Sequence, residues 1–185
     1  MLNEVDKLAV LIEEFDALFL KSENTRLKTG ATEPYYRAPT DNQPAIIYSR
    51  DNYYSSALHE IAHWCIAGVA RRQLDDFGYW YQPEGRTAAE QIEFELVEVK
   101  PQAIEWALSL ASDHQFHFSA DNLEQGIDAS DEFKSAVYAQ LSDYLTEKCL
   151  PPRAQLLFNR LVAVFRQAQP VVLPIFKSES EIAYV

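Results

Sequence analysis

Basic residues are scarce in this sequence. It has 16 lysines and arginines against 28 aspartates and glutamates, so its formal net charge is −12 and its pI is about 4.7. Binding to phosphate needs a basic face, and we therefore expect no direct nucleic-acid partner. The negative field suits a cationic substrate or partner better, although acidic surfaces also simply keep proteins soluble.

Cysteines and long apolar runs are also few. The two cysteines, Cys65 and Cys149, form neither a disulfide framework nor a metal-binding spacing. No apolar run approaches the roughly 18 residues of a membrane span, and the first six residues lack the basic start of a signal peptide. We expect a reduced cytoplasmic protein without a membrane partner, in which Cys65 is a buried thiol.

The 185 residues are 48% hydrophobic, which is enough for one sizeable core. We predict a single domain over residues 1–185, of α+β class and mainly helical, with a small sheet beside one functional helix. Residues 21–44 are predicted to form an irregular loop, and the tail from about residue 170 is expected to be less ordered. The predicted helices cover residues 4–20, 54–72, 86 or 87 to 111, 131–147 and 152–169, and the predicted strands cover 45–49 and 77–81.

The second predicted helix carries the motif His-Glu-x-x-His, with His59, Glu60 and His63. Residues i and i+4 lie on one helix face, so the two imidazoles can bind one metal ion. Ser55 and Ser56 are candidate N-caps of this helix. The alternative is a coincidental pair with one packed and one solvated histidine. We favour the metal site.

Two histidines alone make a poor metal site, so a third protein ligand is expected. Glu98 is our first choice because it lies between two valines, just before Pro101, where a helix must kink or restart. Glu95 is the second choice. The other carboxylates of the same helix are Glu90, Glu93 and Glu105. His114 and His117 form a weak His-x-x-His pair in a loop, which we interpret as ordinary surface or structural histidines.

Two chemistries fit two histidines and a carboxylate. With zinc, Glu60 would act as the general base of a hydrolase of the metallopeptidase kind. With iron(II), the same ligands leave positions for dioxygen and substrate, as in oxygenases. The motif by itself favours the hydrolase.

Other segments of the sequence favour the oxygenase over the hydrolase. The specific ones lie at residues 59–68, 77–81, 83, 85–86, 94–95 and 97–103, with weaker ones at 24–27, 33–34 and 121–123. In these segments the chain resembles the elongation factor P hydroxylase family, over roughly residues 10–150. The fold of that family resembles a small metal-dependent hydrolase of α+β type.

The resemblance implies a hydroxylase that acts on the β-lysyl-modified lysine of elongation factor P. It implies a non-haem metal, iron(II) with zinc as the alternative, held by His59, His63 and Glu98, with dioxygen as co-substrate. The reductant stays open, and Arg26, Arg86 and Lys100 are the available anchors for an organic acid co-substrate. Candidates to attract the cationic lysyl arm are Glu60, Glu95, Glu105, Asp75 and Asp76, and candidates for an aromatic wall are Trp64, Tyr79, Trp80 and Tyr81.

Overall fold

A computed structural model gives the structure of the chain and describes residues 3–76, 87–119 and 129–176. The predicted strand at 77–81 lies outside these residues. The described part is mainly helical with a small sheet, which confirms the predicted α+β class. Its elements are α1 (Glu4–Phe19), β1 (Thr25–Ala31), β2 (Tyr35–Arg37), β3 (Ala45–Arg50), α2 (Tyr54–Ile66), a 3-10 turn (Arg71–Gln73), α3 (Ala88–Ala111), α4 (Asp131–Thr146) and α5 (Pro152–Phe165).

The three strands form a sheet in the order β1-β3-β2, with β1 parallel and β2 antiparallel to β3. The prediction of a loop over residues 21–44 is therefore wrong, whereas the predicted strand at 45–49 is confirmed. Thr25 and Leu27 of β1 are buried, and Arg26 and Lys28 between and after them are exposed. This alternation is the period of a half-buried strand.

The core joins side chains from all five helices with residues of β1 and β3. Helix α1 is capped by Asn3, whose side chain accepts a hydrogen bond from the backbone of Asp6, and it buries Leu11 and Phe15. Helices α1, α4 and α5 start at the predicted residues. Helix α5 ends earlier than predicted, before Gln167 and Ala168 adopt positive φ. Within the described residues, no helix is long and apolar enough to cross a membrane.

Helix α2 follows β3 after a short turn and ends at Ile66 rather than at residue 72. Its N-cap is Tyr53, so the prediction of a serine cap is wrong. The Ser56 hydroxyl instead accepts a hydrogen bond from the backbone of Arg50. At the other end, Arg153 of α5 donates to the carbonyls of Trp64, Cys65 and Ala67. A cation thus caps the C-terminus of α2, where the helix dipole favours positive charge.

Helix α3 packs against α2, α4 and α5. It begins with a capping box, in which the Thr87 hydroxyl accepts from the backbone of Glu90 and the Glu90 carboxylate accepts from the backbone of Thr87. The helix runs on through Pro101 without a restart. Pro101 is buried, so tertiary packing holds the helix together where proline removes one hydrogen bond.

Residues 170–176 follow α5 without regular secondary structure but are packed onto the helices. The Tyr138 hydroxyl donates to the Pro174 carbonyl, and the Phe176 ring stacks on Tyr138 at 5.1 Å. Val171 and Leu173 pack against the core. These contacts hold residues 170–176 against the helices, and the rest of the tail, which is expected to be less ordered, lies outside the described residues.

Candidate metal centre

The structure brings together His59 and His63 of α2 and Glu98 of α3. Each offers one donor atom, and these atoms all lie within 4.8 Å of one another. The two Nε2 atoms are 3.0 Å apart. Glu98 Oε1 lies 3.2 Å from Nε2 of His63, and Glu98 Oε2 lies 3.8 Å from Nε2 of His59. Among the described residues, no other group of three histidine, cysteine or carboxylate side chains has donor atoms so close together.

The helix positions explain the geometry. His59 and His63 are one turn apart on α2, and the apolar side of that helix, including Leu58 and Ile61, is fully buried. Helix α3 packs on α2 and places Glu98 beside the two histidines. The side chain of Glu98 is 6% exposed, that of His59 26% and that of His63 41%. The site is therefore shielded from water at Glu98 and accessible to a ligand at His63.

The donor spacing fits a single metal ion. Two ligands bound at about 2.1 Å stand about 3.0 Å apart at a right angle and about 3.4 Å apart at the tetrahedral angle. The shorter two of the observed separations, 3.0 and 3.2 Å, fall in that range. In addition, Glu98 Oε2 is buried without a hydrogen-bond partner in the described chain. A buried carboxylate oxygen left unpaired is costly, and a bound cation would satisfy it.

Comparison with known proteins points in the same direction. A family model described as elongation factor P hydroxylase matches residues 14–173. A curated protein of Haemophilus influenzae named elongation factor P lysine hydroxylase is 47% identical over 172 residues, which is 92% of this chain and 96% of the relative. The chain belongs to the elongation factor P hydroxylase family. The match reaches beyond residue 150, so the family likeness covers more of the C-terminal part than the sequence segments indicated.

The electrostatics of this family member's site favour a cation. Burial acts to lower the pKa of His59, but the hydrogen bond and charge of Glu105, with the charges of Glu98 and Glu60, raise it to about 10. Burial acts to raise the pKa of Glu98, but the charge and hydrogen bond of His63 and the charge of His59 lower it to about 2. Burial raises the pKa of Glu60 against the charges of both histidines. The carboxylates around His59 thus favour a positive charge at this place.

The other carboxylates of α3 have separate partners. Glu95, the second choice for the third ligand, accepts hydrogen bonds from the backbone and hydroxyl of Ser130, at 3.2 and 2.6 Å. Ser130 is the N-cap of α4, so Glu95 supports a helix start away from the histidines. Glu105 lies beside the site but on the far nitrogen of a histidine, with its Oε2 2.8 Å from Nδ1 of His59. The contact between Glu105 and His59 joins residues 46 positions apart and results from the packing of α3 on α2, so the sequence alone does not predict it.

Several candidates from the sequence do not belong to this site. Trp64 is 3% exposed and packs edge-on against Phe15 and Phe19 of α1, so it is a core residue and not a pocket wall. The ring of His114 lies against Tyr54, 4.7 Å between centroids, which fits the interpretation of an ordinary histidine.

Three further charged candidates, Asp75, Asp76 and Arg26, have partners elsewhere. Asp75 accepts a hydrogen bond from the backbone of Ala38, and Asp76 pairs with Arg71. Arg26 pairs with Asp16 at 2.8 Å. Arg86 and the aromatic candidates at 79–81 lie outside the described residues.

Proposed function

We propose that this protein hydroxylates the β-lysyl-modified lysine of elongation factor P, with iron(II) at His59, His63 and Glu98 and with dioxygen as co-substrate. The observation that carries the proposal is a two-histidine, one-carboxylate group in a chain 47% identical to a curated elongation factor P lysine hydroxylase. Because its substrate would be a translation factor, we place the enzyme in the cytoplasm.

The three ligands fit the requirements of the chemistry. His59, His63 and Glu98 would hold iron(II), which would supply the activation of dioxygen that hydroxylation needs. The buried Glu98 holds the closed side of this site, whereas His63, whose side chain is 41% exposed, lies on the open side. The substrate side chain would enter from there.

The charge around the site suits a cationic side chain. Glu60, Glu98 and Glu105 surround the two histidines, so a divalent ion with neutral imidazoles leaves one negative charge in excess. Glu98 and Glu105 are engaged with the histidines. We assign to Glu60 the attraction of the ammonium groups of the lysyl arm. In the alternative function, that of a zinc hydrolase, Glu60 would be the general base. The His-Glu-x-x-His motif favours this alternative, and the family membership opposes it.

The test is mass spectrometry of β-lysylated elongation factor P after incubation with the iron(II)-loaded protein, air and a reductant. We expect a gain of one oxygen atom with the unchanged protein and no gain with His63→Ala. Glu95→Gln is the matched control on α3, since Glu95 contacts Ser130 and not the histidines. An unmodified substrate after incubation with metal-loaded protein would refute the proposal and return the zinc hydrolase to first place.

A further inference from the structure

Glu105 lies seven residues after Glu98, on the same face of α3. It is 6% exposed, and its Oε2 is 2.8 Å from Nδ1 of His59. The opposite nitrogen of that ring, Nε2, is 3.0 Å from Nε2 of His63. One edge of the His59 ring thus faces Glu105, and the other edge faces the other proposed ligands.

This contact decides which ring nitrogen of His59 is available to a metal. A neutral imidazole carries its proton on one nitrogen and a lone pair on the other. A carboxylate only accepts hydrogen bonds, so the proton of His59 stays on Nδ1 and the lone pair stays on Nε2. A carboxylate behind a metal-binding histidine also fixes the ring rotation and makes the ligand more basic.

The two histidines differ in this support. His63 is the more exposed of the pair, and the partners of its ring in the described chain are His59 and Glu98, both through Nε2. His59 is anchored from behind by a buried residue of another helix. The anchor also ties α2 to α3, the two helices that supply the donors.

We propose that Glu105 is a positioning residue, which holds His59 as an Nε2 ligand with its proton on Nδ1. The inference rests on the proposed metal site at His59, His63 and Glu98. Glu105 itself contacts neither the ion nor the substrate, and its effect on metal binding passes through the His59 ring.

The test uses the full-length protein loaded with zinc, which binds imidazole and carboxylate and is diamagnetic. Metal affinity is measured by competition with a chelator for the unchanged protein, Glu105→Gln, Glu105→Ala and the control Glu95→Gln. We expect Glu105→Gln to weaken zinc binding by about 10- to 100-fold and Glu105→Ala to weaken it further, because the glutamine keeps an acceptor oxygen. Glu95→Gln should bind zinc as the unchanged protein does.

A second readout does not depend on the variants. Nitrogen NMR of the zinc-loaded, unchanged protein reports the tautomer of each histidine, and we expect a protonated Nδ1 and a metal-bound Nε2 for His59. Zinc bound through Nδ1 of His59, or equal affinity of Glu105→Gln and the unchanged protein, would overturn the proposal. Failure of the metal site itself looks different, because the unchanged protein and His63→Ala would then bind zinc equally weakly.

Discussion

Replacement of Glu98 by glutamine tests the third ligand through stability. The amide keeps the size of the side chain but removes the negative charge and weakens its donation to a metal. Because metal that binds the folded state stabilises it, the shift in unfolding temperature on adding metal measures the ligand set. The shift is compared within each variant, with and without metal, at the same metal concentration.

The size of the effect follows from the binding equilibrium. Metal at 100 times its dissociation constant stabilises the unchanged protein by about 2.7 kcal/mol. If loss of the carboxylate weakens binding by about 100-fold, the metal then adds only about 0.4 kcal/mol. For a chain of 185 residues the difference corresponds to about 5–9 °C in unfolding temperature, at about 2–4 °C per kcal/mol.

The comparison within each variant matters because Glu98 also affects the metal-free fold. Its pKa is lowered to about 2 from an ordinary value of 4.5. A lowered pKa means that the carboxylate stabilises the fold above pH 4.5 and loses this effect as the pH falls toward 2. Near neutral pH, Glu98→Gln therefore lowers the stability of the metal-free protein as well.

Differential scanning fluorimetry or calorimetry gives the shifts. Glu93→Gln is the control, because Glu93 lies on the same helix with an exposed side chain. We expect it to keep the full metal-induced shift. A full shift in Glu98→Gln would refute Glu98 as a ligand, and an equal loss in both variants would mean that the metal effect does not depend on the site.

Three further outcomes follow from described contacts. Arg153→Met should lower the free energy of unfolding by about 3 kcal/mol, and the unfolding temperature by about 6–12 °C, since the C-terminal carbonyls of α2 lose their charged donor. An unchanged unfolding temperature in a thermal scan would contradict the role of Arg153 as a cap. Burial raises the pKa of Cys65 to about 12, so its thiol stays protonated at neutral pH. A thiolate-specific reagent should therefore label one cysteine, the exposed Cys149, in the native protein and two cysteines in denaturant. Fast labelling of both cysteines in the native protein would contradict the burial of Cys65. Glu60→Gln should keep metal binding and measurable hydroxylation of elongation factor P, whereas loss of about 10²- to 10⁴-fold in rate with metal binding intact would indicate a general base.

The sequence predicted the elements whose signal is local. Periodic apolar residues defined α1, α4 and α5, and the apolar run at 45–49 defined β3. The spacing of His59 and His63 needed only the helix period. Glu98 could be favoured over Glu95 because of its apolar neighbours, and the structure brings Glu98, not Glu95, beside the histidines.

The elements that sequence reasoning missed depend on distant contacts. The sequence of β1 predicts a loop because polar residues outnumber apolar ones in it, which hides the alternation of apolar and polar side chains. The strand forms by pairing with β3, which joins residues 20 positions apart, as in Thr25 with Ala45. The early end of α2 is fixed by Arg153, which is 86 residues from the Ala67 carbonyl it binds. The sequence does not distinguish Glu105 from the other acidic residues of α3, because its contact with His59 depends on the packing of α3 on α2.

The most direct test of the account is an isotope experiment on the reaction itself. The iron(II)-loaded protein acts on β-lysylated elongation factor P under isotopically heavy dioxygen in ordinary water, and in parallel under ordinary dioxygen in heavy-oxygen water. The account predicts that the new hydroxyl carries heavy oxygen in the first experiment only, and that His59→Ala gives no product in either. Heavy oxygen drawn from water, or no hydroxylation by protein shown to hold iron at this site, would contradict it.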